Sequence, residues 1–203
     1  MRLLRVGADS LLAEVSDTAA AMRVYDEALR REVAAAEVVP AARTVLFSGV
    51  PDVARLEAEL AGWAPEAGES TPTRHGPVVE VPTVYDGPDL DSVARHWGLT
   101  PREVVDLHTS SEMLVAFCGF APGFAYCKGL EQMSPVPRLE DPRTRVPAGA
   151  VGLADVFTGV YPSASPGGWQ LIGRTELVLW DETREQPATL APGTRVRFVE
   201  VPR

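Results

Sequence analysis

VPAGAVGLADVFTGVYPSASPGGWQLIGR, residues 146 to 174, carries the reading on which the fold turns. Its apolar runs are short, and glycine or proline interrupts each before a helical period can establish itself. Short strands joined by tight turns fit that pattern, and a succession of them implies a closed or nearly closed β-barrel. The flanks read the same way. MLVAFCGF (Met113–Phe120) precedes the stretch as a strand, while WQLIGRTELVLW (Trp169–Trp180) and GTRVRFVEV (Gly193–Val201) supply further strands after it.

Further out the pattern changes to helices. VVEVPTVYDGPDL (Val78–Leu90) reads as a strand ended by Asp86-Gly87-Pro88. A helix follows with Leu90, Val93, Ala94 and Trp97 inward, closed by Gly98. Thr100-Pro101-Arg102-Glu103 opens another, because a threonine with a glutamate three residues on forms a capping box, and proline fits the first helical position. That helix places Val104, Leu107 and His108 on one side. PEAGESTPTRHGP (Pro65–Pro77) has no apolar period and reads as a connection.

Before the connection, LLRVGADSLLAEV reads as a strand or strand pair. Ser16 or Asp17 then caps a helix bearing Ala21, Tyr25, Ala28 and Leu29 on one face. Val38–Val39 and Thr44–Val50 read as strands, and Pro51 starts a helix with Val53, Leu56, Leu60 and Trp63 aligned. The expected class is α+β: a ferredoxin-like domain over residues 1–70, a linker over 71–78 and a β-barrel domain over 79–203.

The chain has 203 residues, 45% of them hydrophobic and 23% charged, enough to bury a proper core. A formal charge of -9 argues against a nucleic-acid partner, which needs a basic stripe. No apolar stretch approaches the ~20 residues of a membrane span, and MRLLRVGADS lacks the apolar centre of a secretory signal, so a cytoplasmic location is expected. Cys118 and Cys127 are the only cysteines and match no zinc spacing. His75, His96 and His108 are scattered, so no metal site is expected. P-loop, dinucleotide-binding, GxSxG and HExxH motifs are absent.

Two runs stand out as binding elements: FCGFAPGFAYCKGL (Phe117–Leu130) and YPSASPGGWQLIGR (Tyr161–Arg174). Both combine turn formers with aromatics, the composition of a pocket whose apolar walls need backbone in close approach. Gly167-Gly168 frees backbone N–H groups for an anion, with the amide of Gln170 and the guanidinium of Arg174 nearby; the other reading is a plain hairpin turn. Arg143 and Arg145, two apart, share a face of an extended segment and make a cationic patch, or are two solvated arginines. His108 is either an acid–base group or a satisfied core histidine. Cys127 beside Lys128 is expected to be an unreactive lining residue.

These runs, with VYDGPDLDSVARHWGLTPREVVDLHT (Val84–Thr109) and VPAGAVG (Val146–Gly152), resemble the family of 5-oxoprolinase B subunits, also known as allophanate hydrolase subunit 1 or Kip-type sporulation-kinase inhibitor. The likeness covers most of the chain from Val81 onward. It implies a ferredoxin-like first domain and a cyclophilin-like barrel. It also implies joint action with a homologous C-type partner and a third, A-type partner in the ATP-dependent opening of 5-oxoproline to glutamate, the ATP being handled through the complex. Positions that match the family pattern are Tyr85, Asp86, His108, Thr109, Pro122 and Gly123. So do Tyr126, Arg145, Pro147, Gly149, Gln170 and Arg174. Departures at Ala125, Cys127-Lys128, Ala150 and Phe157 fall on the pocket wall and bear on the substrate more than on the fold.

Given that activity, side-chain chemistry would have His108 position or shuttle a proton, Arg145 and Arg174 hold a substrate carboxylate, and Gln170 hydrogen-bond the lactam. Tyr126, Gly123, Gly167 and Gly168 shape the pocket. Two other roles stay open: inhibitor of a sensor histidine kinase, with the barrel presenting an apolar surface, and a component of a urea amidolyase-type enzyme working on allophanate.

Overall fold

Gly7, at φ +67°, turns the chain back after a single short strand, so the first segment becomes a hairpin of β1 (Arg2–Val6) and β2 (Ser10–Glu14). The computed structural model describes residues 1–63 and 75–202. The chain divides into two compact units, Met1–Thr73 and Arg74–Arg203.

In the first unit, helix α1 (Thr18–Arg30) starts where the Asp17 carboxylate accepts the Ala20 N–H at 2.8 Å. Strands β3 (Glu37–Pro40) and β4 (Thr44–Ser48) follow, then α2 (Val53–Ala61), capped by Asp52. The sheet is antiparallel throughout, in the order β1-β2-β4-β3. Alternation sends Leu11, Ala13, Val45 and Phe47 to one face, where Ala20, Ala21 and Val24 of α1 and Leu56 and Leu60 of α2 cover them. The chain order is thus ββαββα, whereas a ferredoxin-like domain runs βαββαβ. The hairpin at Gly7 is the strand pair that LLRVGADSLLAEV allows, and what departs from expectation is the ferredoxin-like order of the elements.

The second unit begins with β5 (His75–Thr83), so residues 75–78 of the expected linker belong to a strand, while its residues 71–74 lie outside the described residues. Helices α3 (Leu90–Trp97) and α4 (Pro101–Ser110) come next. Gly98, at φ +69°, ends the first, and the Thr100/Glu103 capping box starts the second. The remaining elements are β6 (Met113–Cys118), β7 (Ala125–Lys128), β8 (Arg143–Val146), β9 (Ala150–Ala154), β10 (Phe157–Val160), β11 (Ser165–Gly167), β12 (Gln170–Arg174) and β13 (Thr194–Glu200).

Seven of these strands form one sheet in the order β12-β9-β10-β7-β6-β13-β5; β8 and β11 form a separate ribbon. The two edges of the large sheet come together just beyond β5, where Val84 and Arg174 exchange both backbone hydrogen bonds at 2.9 Å. The seam continues as Gly87 N–H to Ile172 O (3.2 Å) and Asp89 N–H to Leu171 O (2.9 Å). Only glycine fits this approach: a Cβ at Gly87 would lie 2.3 Å from the Leu171 carbonyl oxygen, and one at Gly173 2.5 Å from that of Val84. The sheet is therefore a nearly closed barrel, filled by side chains such as Val81, Val115, Leu153, Ile172 and Phe198. Helix α3 packs on β12 and α4 on β13.

Candidate functional site

The turn between β6 and β7 is held by Gly119 N–H to Phe124 O (3.1 Å) and Phe124 N–H to Ala121 O (3.0 Å). Gly123 takes φ +81° there, and a Cβ would crowd the Leu179 carbonyl and the Trp180 Cβ. Phe120 also has a positive φ, +73°, which is unusual for a bulky residue, and its ring is 63% exposed. From this turn Phe120, Phe124 and Tyr126 form one wall of a cleft of about 80 Å³; Tyr161, Pro166, Gly167, Gly168 and Trp169 form the other. The two runs singled out in the sequence therefore meet at one mouth.

Edge-to-face contacts fix the aromatic walls: Phe124 meets Tyr161 at 5.3 Å and Trp169 at 5.2 Å, and Tyr126 stacks on Phe117 at 4.3 Å. Gly167 is dictated by Tyr161, whose hydroxyl lies 2.3 Å from where a Cβ would stand. Among the described residues the cleft's one cation is Arg138, which sequence reasoning missed. Its neighbours Pro135 and Pro137 stiffen the chain on which it is displayed, a signal present in MSPVPRLEDPR. The Leu139 N–H donates to Gly168 O at 2.8 Å, and Gln170 Nε2 donates to Pro137 O at 3.3 Å. Burial pushes the Tyr126 and Tyr161 phenols up, with the nearby Arg138 guanidinium opposing it at both.

Of the residues expected to form the site, Tyr126, Gly167 and Gly168 line the cleft. Gln170 lies behind it, 7% exposed, a strut for the Arg138 segment, with its Oε1 unpartnered among the described residues. Gly123 shapes the turn. Arg174 sits on the barrel seam and pairs with Asp86 at 3.2 Å. Arg145 is exposed on β8. Arg143, expected beside it as a patch, is instead half-buried, pairing with Asp89 at 2.8 Å and donating to the Trp169 carbonyl at 3.4 Å. The structure does not bring Arg145, Arg174 or His108 to the cleft wall.

His108 is fully buried in the barrel core. The Tyr85 hydroxyl lies 2.7 Å from its Nδ1, Thr158 Oγ1 lies 3.3 Å from its Nε2, and the Phe198 ring packs 4.4 Å away. Burial pushes its pKa down to about 3, so the imidazole is neutral and occupied at both nitrogens. That is the setting of a core histidine, not of a proton shuttle facing a ligand. The thiols are similarly inert: burial raises Cys127 to about 12 and Cys118 to about 11. Among the described residues no three His, Cys, Asp or Glu side chains group to hold a metal.

The first unit carries a roomier cleft of about 260 Å³, bordered by Arg31, Val33, Pro51, Arg55 and Glu59. Size favours it and chemistry does not. Among the described residues it has no aromatic wall, and its Arg31 is engaged with Glu27 and stacked over Trp63.

The family model of the carboxyltransferase domain, subdomain C and D, matches residues 1–190. The chain is 52% identical over 124 residues to the 5-oxoprolinase B subunit of Escherichia coli O157:H7, an alignment covering 60% of this chain and 57% of that protein. It is 41% identical over 152 residues to the corresponding B subunit of Haemophilus influenzae, covering 73% and 68%. Against the first of these, the chain spans little more than half the relative's length. The crystal structure of TTHA0988 superposes with a TM-score of 0.74 at 36% identity, covering 96% of this chain and 40% of that one. A more distant likeness, 29% over 123 residues, connects it to 6% of the urea amidolyase of Saccharomyces cerevisiae. The chain belongs to the carboxyltransferase subdomain C and D family, on the side of it held by the 5-oxoprolinase B subunits.

Proposed function

We propose that this chain serves as the B-type component of an ATP-dependent 5-oxoprolinase, and that the barrel cleft is its share of a site completed by a homologous C-type partner. The observation that carries the reading is the meeting of the two glycine- and aromatic-rich runs at one small mouth. At about 80 Å³ the cleft is smaller than the ~150 Å³ cavity that holds benzene, so a five-membered lactam would seat one face there and need a second surface for the other.

The residues present supply binding and orientation. Trp169, Tyr126 and Tyr161 offer a water-poor wall, and Gly167 and Gly168 allow backbone to approach the ligand. The described residues of the cleft do not suit a triphosphate, because they include one arginine and no helix N-terminus; the nucleotide is assigned to the other components of the complex. ATP supplies the free energy for opening a stable lactam. The test is reconstitution with the A- and C-type partners. Omitting this chain abolishes 5-oxoproline-dependent ATP hydrolysis, and Trp169→Ala reduces it; full activity without this chain refutes the reading.

One observation favours a second role. Phe120, Val178 and Trp180 are exposed apolar residues near the Gly123 turn, a surface suited to a protein partner such as a sensor histidine kinase. Inhibition of kinase autophosphorylation by the isolated chain, lost in Phe120→Ser, would favour that role.

A further inference from the structure

We propose that Arg138, which lines the barrel cleft together with Tyr126 and Tyr161, reads a carboxylate on the ligand held there, so that the site selects small planar amides bearing a carboxylate over neutral ones. The inference rests on the cleft's being a binding site, and it moves the task of anion recognition away from Arg145 and Arg174.

Charge comes first. Arg138 lines the cleft and takes part in no ion pair among the described residues, whereas Arg143 is held by Asp89 and Arg174 by Asp86. Glu140 and Asp141 follow closely in sequence, yet no ion pair joins either to it. Its charge is left for a ligand. A guanidinium matches the planar fork of a carboxylate in a way an ammonium does not.

Placement comes second. On one side of Arg138, Val136 and Asp155 exchange backbone hydrogen bonds at 2.8 and 2.7 Å, and the Pro137 carbonyl accepts from Gln170. On the other, the Leu139 N–H is bound to Gly168, itself part of the cleft wall. The backbone under Arg138 is thereby fastened to the chain that builds the opposite wall, which fixes the base of the side chain before any ligand arrives. Gln170 is a positioning residue in this arrangement.

Polar partners come third. Both phenols are neutral, a form that burial favours further, and each keeps an O–H to donate, the Tyr161 oxygen already accepting from the Trp169 backbone N–H. A lactam ring lying on the Trp169 side of the cleft would thus direct its carboxylate towards a cation and two hydroxyl donors. A neutral lactam would leave the same groups unsatisfied, and sites of that kind discriminate strongly.

The experiment titrates the full chain with 5-oxoproline, 2-pyrrolidinone and acetate while following the backbone amide resonances of Gly167, Gly168 and Trp169. In the wild type 5-oxoproline binds at least ~10-fold tighter than 2-pyrrolidinone; Arg138→Ala weakens 5-oxoproline by roughly 10- to 100-fold and leaves 2-pyrrolidinone unchanged; Arg138→Lys keeps part of the preference. Spectra that superpose elsewhere establish that the variant is folded. Where the isolated chain binds none of the three, the ratio of KM values for the same two lactams in the reconstituted enzyme decides. Equal affinity for both lactams, or an Arg138→Ala that binds 5-oxoproline as the wild type does, overturns the inference. A complex with no 5-oxoprolinase activity but an Arg138-dependent carboxylate preference would sink the proposed function alone. Turnover with an unchanged KM in Arg138→Ala would sink this inference alone.

Discussion

A methyl group at position 167 would stand 2.3 Å from the Tyr161 hydroxyl, so Gly167→Ala must displace a ring that is 2% exposed and packed between Phe124 and Trp169. The expected outcome is a cost of about 1–3 kcal/mol, read as a lower melting temperature, together with loss of ligand-induced shifts at Gly168. Phe120 should behave in the opposite sense. Its backbone sits at φ +73°, where glycine is at ease, so Phe120→Gly should raise stability by ~1 kcal/mol while weakening whatever binds at the mouth. His108 sets a pH dependence. Its folded pKa, about 3, lies below the ordinary 6.5, so the unfolded chain takes up a proton that the folded chain refuses. Its stabilising effect is complete above pH 6.5 and declines as the pH falls, by up to ~1.4 kcal/mol per unit. Denaturant melts between pH 6.5 and 4.5 should show that slope reduced in His108→Leu, which will also be less stable at neutral pH because Tyr85 and Thr158 lose their partner.

At the level of elements, helix α4 depends on a reciprocal cap: the Thr100 N–H donates to the Glu103 carboxylate at 2.8 Å, and the Glu103 N–H to the Thr100 hydroxyl at 3.3 Å. Thr100→Ala should cost ~1 kcal/mol, measured as a shift in the unfolding midpoint. Both halves of this motif are visible in four consecutive residues, which is why this helix, like the one that Gly98 ends, could be delimited from sequence. The seam of the barrel could not. Asp86-Gly87-Pro88 announces a turn, but that Gly87 is required because Leu171 passes 2.3 Å from its missing Cβ depends on a strand more than eighty residues away. Val84→Pro removes the N–H donated to Arg174 and should speed amide exchange at Arg174 and Ile172, well beyond the site of the change.

For the whole molecule, what could be read from sequence follows the range of the interactions involved. Period and punctuation gave the helices, the hairpin strands and the barrel class, because each signal lies within one element. The cleft was half legible: Tyr126, Gly167 and Gly168 stood in runs whose composition marks a pocket, and Arg138 did not, since only the folding of Pro137 and Leu139 onto Gln170 and Gly168 carries it there. Sequence left the two readings of His108 open for the same reason, as helical position reveals a face but not the Tyr85 and Thr158 groups beside both its nitrogens. The placement of β13 has one further consequence. It lies between β6 and β5 and runs parallel to β5 with Val196 beside Val79 and Glu200 beside Thr83. During synthesis, β5 must therefore wait on the ribosome for a neighbour made more than a hundred residues later, and β6 for one made some eighty later, with apolar strand edges uncovered meanwhile. Chaperone demand for the nascent chain should peak just before residue 194 emerges and fall once residue 200 is free.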